Sequence, residues 1–200
     1  MQHKVKVTVI DKKLYTELQS KYCADPNSGA CPCYNIGDEF LFERYDNADD
    51  FWHMGLNTLK QSTNIANTVA GGNTFPHCSE AWDAISRYIY TGLQGGSIMR
   101  GWMNDERIMI ACCSDGTRPV IFKIERIDYK AVYVNGIHCD TCRNNISEAL
   151  KSISEVTDIA FKKDSNNNEY IEVFIDKDIS DSLIENTIKS CGEYPIIHID

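Results

Sequence analysis

The succession of hydrophobic patterns across residues 130–199 restricts this chain to very few folds. Residues 130–135 read as a strand, with β-branched and aromatic side chains running into Gly136. Two thiols follow at C-x-x-C spacing, Cys139 and Cys142, and a helical period starts at once. Within 143–153, Ile146, Ala149, Leu150 and Ile153 recur at helical spacing and give one apolar face. Residues 156–162 read as a second strand, Asp164-Ser165-Asn166-Asn167-Asn168 as a polar turn, and 170–175 as a third strand that alternates in and out. A second helix is predicted over 180–190. Ser180 is its N-cap, Leu183, Ile184, Thr187 and Ile188 face inward, and Gly192 ends it. Residues 194–199 form the last strand.

That order, β-α-β-β-α-β, is the ferredoxin-like arrangement. A seam falls near Asp128-Tyr129, between one strand over 120–127 and the next over 130–135, with no Gly/Pro/Ser-rich linker. Residues 1–128 are less regular. A strand over 4–11, a short helix over 14–22, a cysteine loop and a strand over 39–42 come first. Residues 43–74 are polar, contain Gly71-Gly72 and read as a loop-rich insertion with one weak helix. Ala81, Trp82, Ile85, Tyr88, Ile89 and Leu93 form a helical stripe that Gly95-Gly96 ends. Strands over 107–113 and 119–127 are joined by the turn sequence Ser114-Asp115-Gly116-Thr117. The fold class is therefore α+β. A ferredoxin-like βαββαβ domain over 129–200 follows a smaller-sheet, cysteine-rich α+β domain over 1–128.

Charge narrows the partners. Residues 129–200 hold 7 Lys/Arg against 13 Asp/Glu, and residues 1–128 hold 13 against 16. Both halves are acidic, which argues against nucleic acid or an anionic membrane and suits a docking partner with a basic face. No apolar run approaches the ~20 residues that span a bilayer, so no stable membrane insertion is expected. Lys4-Val5-Lys6-Val7-Thr8-Val9-Ile10 alternates like a strand rather than a secretory segment. A cytoplasmic protein with reduced thiols is the expectation. Nine cysteines, an odd number, then point to metal binding or redox chemistry rather than a disulfide framework.

The C-x-x-C pair carries the chemistry. Two thiols at a helix N-terminus meet backbone N–H groups and the positive end of the helix dipole, which favour the thiolate. Two thiolates suit Cu(I) or Hg(II), whereas Zn(II) prefers four ligands. With Gly136-Ile137-His138-Cys139-x-x-Cys142, the helix after it and the β-α-β-β-α-β order, residues 129–200 resemble the heavy-metal-associated domain. That family includes small copper chaperones and the metal-binding domains of metal-pumping P-type ATPases. The resemblance implies that Cys139 and Cys142 are the metal thiolates. It also implies a metal-donor or acceptor protein, such as a metal-transporting ATPase, as partner.

Three positions depart from the family pattern. Ile137 stands where Met is usual, and packs beneath the loop. His138 replaces the Thr or Asp that precedes the first cysteine; copper-binding members with His there exist, so Cu(I) is the first choice. Zn(II), Hg(II) and Cd(II) are the alternatives. Glu193 fills a slot where Lys or Tyr lies near the metal. Cys191 and His138 are candidate further ligands, weighed against a buried structural cysteine and a solvated loop histidine. A thioredoxin-like dithiol is the redox alternative for Cys139 and Cys142.

The N-terminal half holds Cys23, Cys31, Cys33, Cys78, Cys112 and Cys113. Its Tyr22-Cys23-Ala24-Asp25-Pro26, Cys31-Pro32-Cys33, Cys78-Ser79-Glu80-Ala81-Trp82-Asp83 and Cys112-Cys113-Ser114-Asp115-Gly116-Thr117-Arg118-Pro119-Val120 segments resemble an uncharacterised family of small cysteine-rich proteins of anaerobic prokaryotes. No activity follows from that resemblance. Cys23, Cys31, Cys33 and Cys78 are candidates for a second site, zinc or an iron–sulfur cluster; reduced structural cysteines are the alternative. Cys78, beside His77 at a helix start, is placed to have a lowered thiol pKa. Cys112 and Cys113 are strand neighbours and point to opposite faces. Asp83, Asp115 and Arg118 read as an ion pair at a turn, and Trp52, Trp82 and Trp102 as core or interface. The function expected is soft-metal binding or trafficking without catalysis. The alternative is a metal- or iron–sulfur-dependent thiol/redox enzyme whose C-terminal domain delivers or senses the metal. Oligomeric state is not legible.

Overall fold

The computed structural model describes residues 1–44, 59–63, 78–137, 139–164 and 166–200. The chain is mixed α/β, with four helices and mostly antiparallel strands among these residues. It divides into two compact units, His3–Arg126 and Ile127–Asp200, the latter joined by Met1–Gln2.

In the first unit, β1 (Gln2–Lys12) pairs antiparallel with β2 (Glu39–Arg44), and β2 with β3 (Leu59–Thr63). The sequence reads 43–74 as a loop-rich insertion with a weak helix, and the strand at Leu59–Thr63 corrects part of that. Leu-Lys-Gln-Ser-Thr has no apolar alternation; it is a strand because β2 supplies a ladder from Phe40↔Thr63 to Arg44↔Leu59. The rest of that insertion, and the helix expected in it, lie outside the described residues. β1 also neighbours β5 (Val120–Val134), whose first part pairs with β4 (Ile108–Cys112). Helix α1 (Thr16–Tyr22) follows β1, and α2 (Ser79–Leu93) lays its stripe of Ala81, Ile85, Ile89 and Leu93 into the core. There the stripe meets alternate residues of the strands, Val5, Val7 and Val9 from β1 and Val120, Phe122 and Ile124 from β5. Gly92 lets α2 approach β1, since a Cβ there would stand 2.6 Å from Val5 Cγ2.

The two compact units divide at Arg126/Ile127, close to the Asp128-Tyr129 seam, but the strands on either side of that seam are one. β5 runs unbroken from Val120 to Val134, where the sequence predicts two strands. Charged residues inside a strand look like a boundary, but here Lys130 is buried against Asp181 (2.6 Å) and Asp178 (3.4 Å). A buried cation is tolerable when it is paired.

In the second unit, the later part of β5 pairs antiparallel with both β7 (Glu169–Ile175) and β8 (Ile196–Ile199), and β7 with β6 (Val156–Lys163). The strand order is thus β8-β5-β7-β6. Helix α3 (Asp140–Lys151) links β5 to β6, and α4 (Asp181–Ser190) links β7 to β8. Ser180 caps α4, its Oγ accepting from the Leu183 N–H at 3.3 Å. Ile146 and Leu150 of α3 and Ile184 and Ile188 of α4 are fully buried with Val132, Ile171 and Val173 in one core.

Candidate metal centre

Gly136 ends the approach to the C-x-x-C loop. Its φ of +89° lies in the left-handed region that a side chain disfavours, so the strand can turn there and release the chain into α3. Asn135 N–H donates to the Pro195 carbonyl (2.9 Å), and the Glu193 carbonyl lies near Gly136. The α4–β8 loop therefore flanks the start of the cysteine loop. Ile137 is buried in the core beneath it. Cys139 is the N-cap of α3, and its sulfur accepts the Cys142 N–H at 3.2 Å. The two cysteines are joined as a disulfide with Cα atoms 5.3 Å apart. Cys139 is exposed and Cys142 half-buried, so the pair opens to solvent on one side. The basic side chain of the same turn, Arg143, bonds to Glu169, lies 3.8 Å from Asp140 and sits over the Phe161 ring.

Among the described residues, no other candidate completes a three-donor group with this pair. Cys191 packs against the same core as Cys142, and its thiol donates to the Thr187 carbonyl at 3.3 Å, one helical turn back. That is the contact of a structural cysteine at a helix end. Glu193 is exposed, and His138 lies outside the described residues. His198, in β8, stacks on Tyr133 with ring centroids 4.1 Å apart.

In the first unit, three of the four suggested cysteines come to one place, and a different fourth joins them. Cys31, Cys33, Cys78 and Cys113 are each half-buried against the core of this unit, and all four act electrostatically on Tyr34. Cys23 is not among the side chains packed there. Cys23 instead ends α1, its N–H donating to the Gln19 carbonyl at 3.0 Å, while the Gln19 amide donates to Gly29 O (3.0 Å) and accepts from Gly29 N–H (3.2 Å). Cys113 is separated from Cys33 by most of the unit, and only the strand-neighbour argument bore on it: Cys113 turns inward and Cys112 is exposed. Burial first, then the neighbouring Cys31 and Cys78, pushes the Cys33 thiol up, while Arg118 opposes this. Burial and then the same thiols push the Tyr34 phenol up. The Cys112 thiol is pushed up by burial and then by Cys113.

The Cys113–Val120 loop is held by Asp115, whose carboxylate accepts from Thr117 N–H (2.9 Å), Thr117 Oγ1 (2.9 Å) and Arg118 Nε (3.0 Å). Burial is the largest single influence on Asp115 and acts upward, yet the bonds from Thr117 and Arg118 together hold its carboxyl below the usual carboxylate range. A depressed folded pKa gives stability that is present above the unfolded value near ~3.9 and is lost as pH falls through the folded value. Asp115→Asn is therefore expected to lower the urea midpoint at pH 7, with the gap to wild type closing toward pH 3. A gap of equal size at both pH values would show that the charge contributes nothing.

Among the described residues, no group of three or more His, Cys, Asp and Glu side chains stands arranged to hold a metal ion. Nor is any helix there long and apolar enough to cross a membrane. No family model matches this chain, and neither does any curated protein or solved structure.

Proposed function

We propose that this is a soft-metal-binding protein that carries Cu(I) on the thiolates of Cys139 and Cys142, in a domain of ferredoxin-like type. The observation that carries the reading is the meeting of the two sulfurs at the N-terminus of α3, open to solvent and above the packed core. The antiparallel order β8-β5-β7-β6, with α3 and α4 on a shared core, supports the domain assignment. In the reduced state, α3's N–H groups favour thiolates, and two thiolates complete the coordination of a d10 monovalent ion. An exposed two-coordinate ion can be attacked by a third thiol, so a donor or acceptor protein, such as a metal-transporting ATPase, can exchange it without the ion ever being free. Ile137 supports the loop from below, and Cys191 keeps its structural contact.

The test is a competition titration of reduced protein with Cu(I) against a chelator. Losing a residue that merely supports a metal ligand already costs about 10–100-fold in affinity. Cys139→Ser/Cys142→Ser should therefore weaken the C-terminal site by at least ~100-fold, and Cys191→Ser should leave it unchanged. Equal affinity at that site for wild type and the double variant would end the proposal.

A further inference from the structure

Helix α1 is turned inside out. Its one buried residue is Gln19, at 2% exposure, while Leu14, Tyr15, Leu18 and Tyr22 are 39%, 48%, 41% and 69% exposed. An amphipathic helix ordinarily buries its leucines and exposes its amides. Here the reverse is held in place from two sides. The Gln19 amide uses both ends on Gly29, so rolling the helix to bury Leu18 would break two hydrogen bonds. Ahead of the helix, Lys13 N–H donates to the Pro119 carbonyl (2.9 Å) and Tyr15 N–H to the Thr117 carbonyl (2.8 Å). Leu14, Tyr15, Thr16, Glu17 and Leu18 line an open hollow of about 340 Å³. Tyr22 stands one turn beyond Leu18 on the same side.

We infer that α1 is the docking site for an amphipathic helix of a partner protein, with apolar side chains on one face and Lys or Arg beside them. Charge selects that occupant. The cations that flank α1 are engaged: Lys13 with Asp11 (2.6 Å), Lys12 with the Tyr34 carbonyl (2.6 Å), and Lys21 over the Tyr22 ring. Glu17, on the wall of the hollow, has no ion pair among the described residues. Apolar side chains of the partner enter beside Leu14 and Leu18, and its cation meets Glu17. Size agrees. The four exposed side chains make a patch on the order of a few hundred Å², which marks an interaction site. A stable dimer needs about 800 Å² from each partner, and a second copy would bring another net charge of -9, so a short basic segment fits better. None of this depends on Cys139 and Cys142 or on a metal held there.

The probe is a helical peptide of about 14 residues, leucine on one face and lysine on the other, titrated into the full chain at about 150 mM salt. Backbone-amide NMR should show a Kd on the order of 10 μM, with shifts centred on residues 14–22. Leu14→Gln/Leu18→Gln, at exposed positions that leave the urea midpoint unchanged, should weaken binding at least ~10-fold. Glu17→Gln should weaken it about threefold, and a peptide with glutamate in place of lysine should bind the wild type at least ~10-fold more weakly. No binding at ~1 mM peptide overturns the inference, as does equal binding by wild type and Leu14→Gln/Leu18→Gln. Dimerisation of the wild type in sedimentation, lost in the double variant, would give the hollow to a second copy and overturn it too. Capture on phosphatidylcholine/phosphatidylglycerol vesicles, lost in the same variant, would give it to a membrane with the same consequence.

Discussion

Phe122→Ala should lower the unfolding free energy by about 3–5 kcal/mol, the largest effect expected of any single core truncation in the first unit. Phe122 is fully buried in β5, opposite Ala111 of β4, and its ring meets Tyr34 edge-on with centroids 5.4 Å apart. Tyr34 in turn meets Phe40 edge-on at 6.1 Å. Truncation removes the transfer energy of the ring, opens a cavity that the flanking strands cannot close, and strips the aromatic pair, itself worth ~0.5–1.5 kcal/mol. The control is Ile110→Ala, at an exposed position on the neighbouring strand, where a change within about 0.5 kcal/mol is expected. Urea unfolding read by tryptophan fluorescence measures both. A Phe122→Ala cost below ~1 kcal/mol would mean that this core is not packed as described. Because Tyr34 adjoins Cys33, the same variant should also loosen the thiol cluster and speed alkylation of Cys33.

Oxidised protein should take up essentially no Cu(I) at the C-terminal site. The disulfide between Cys139 and Cys142 leaves neither sulfur a charge to donate. Treatment with a phosphine and water converts it to two thiols and the phosphine oxide, a two-electron reduction that adds 2 Da to the chain. Uptake should then rise by at least ~100-fold, since the thiolate is the form that binds metal. Copper bound per protein, measured before and after reduction in Cys31→Ser/Cys33→Ser, isolates this site. Equal uptake in both states would show that metal, if bound at all, is bound elsewhere.

The second unit was easy to read because its elements bury one face each. Ile146 and Leu150, or Ile184 and Ile188, repeat at helical spacing for the plain reason that only that stripe meets the sheet. Helix α3 begins at Asp140, three residues before the hydrophobic period shows it, because Cys139 acts as its cap through sulfur rather than through the usual oxygen. What was not legible depends on contacts distant in sequence. Lys130 looked like the edge of a strand, since its partners Asp178 and Asp181 lie some 50 positions on. β3 carries no pattern of its own and owes its conformation to β2. The thiol cluster fell between these cases: local motifs named Cys31, Cys33 and Cys78, but nothing local could exchange Cys23 for Cys113.

Gln19 deserves a chemist's view of ageing. Its carboxamide is buried and uses both ends on one glycine, giving a hydrogen to the Gly29 carbonyl and taking one from the Gly29 amide. Hydrolysis to glutamate would alter neither size nor shape, yet would turn the donating end into a second acceptor facing a carbonyl oxygen. A charge would then sit in a place without water. Deamidation at this one side chain, a change of a single mass unit, would unfasten the segment that carries Cys31 and Cys33.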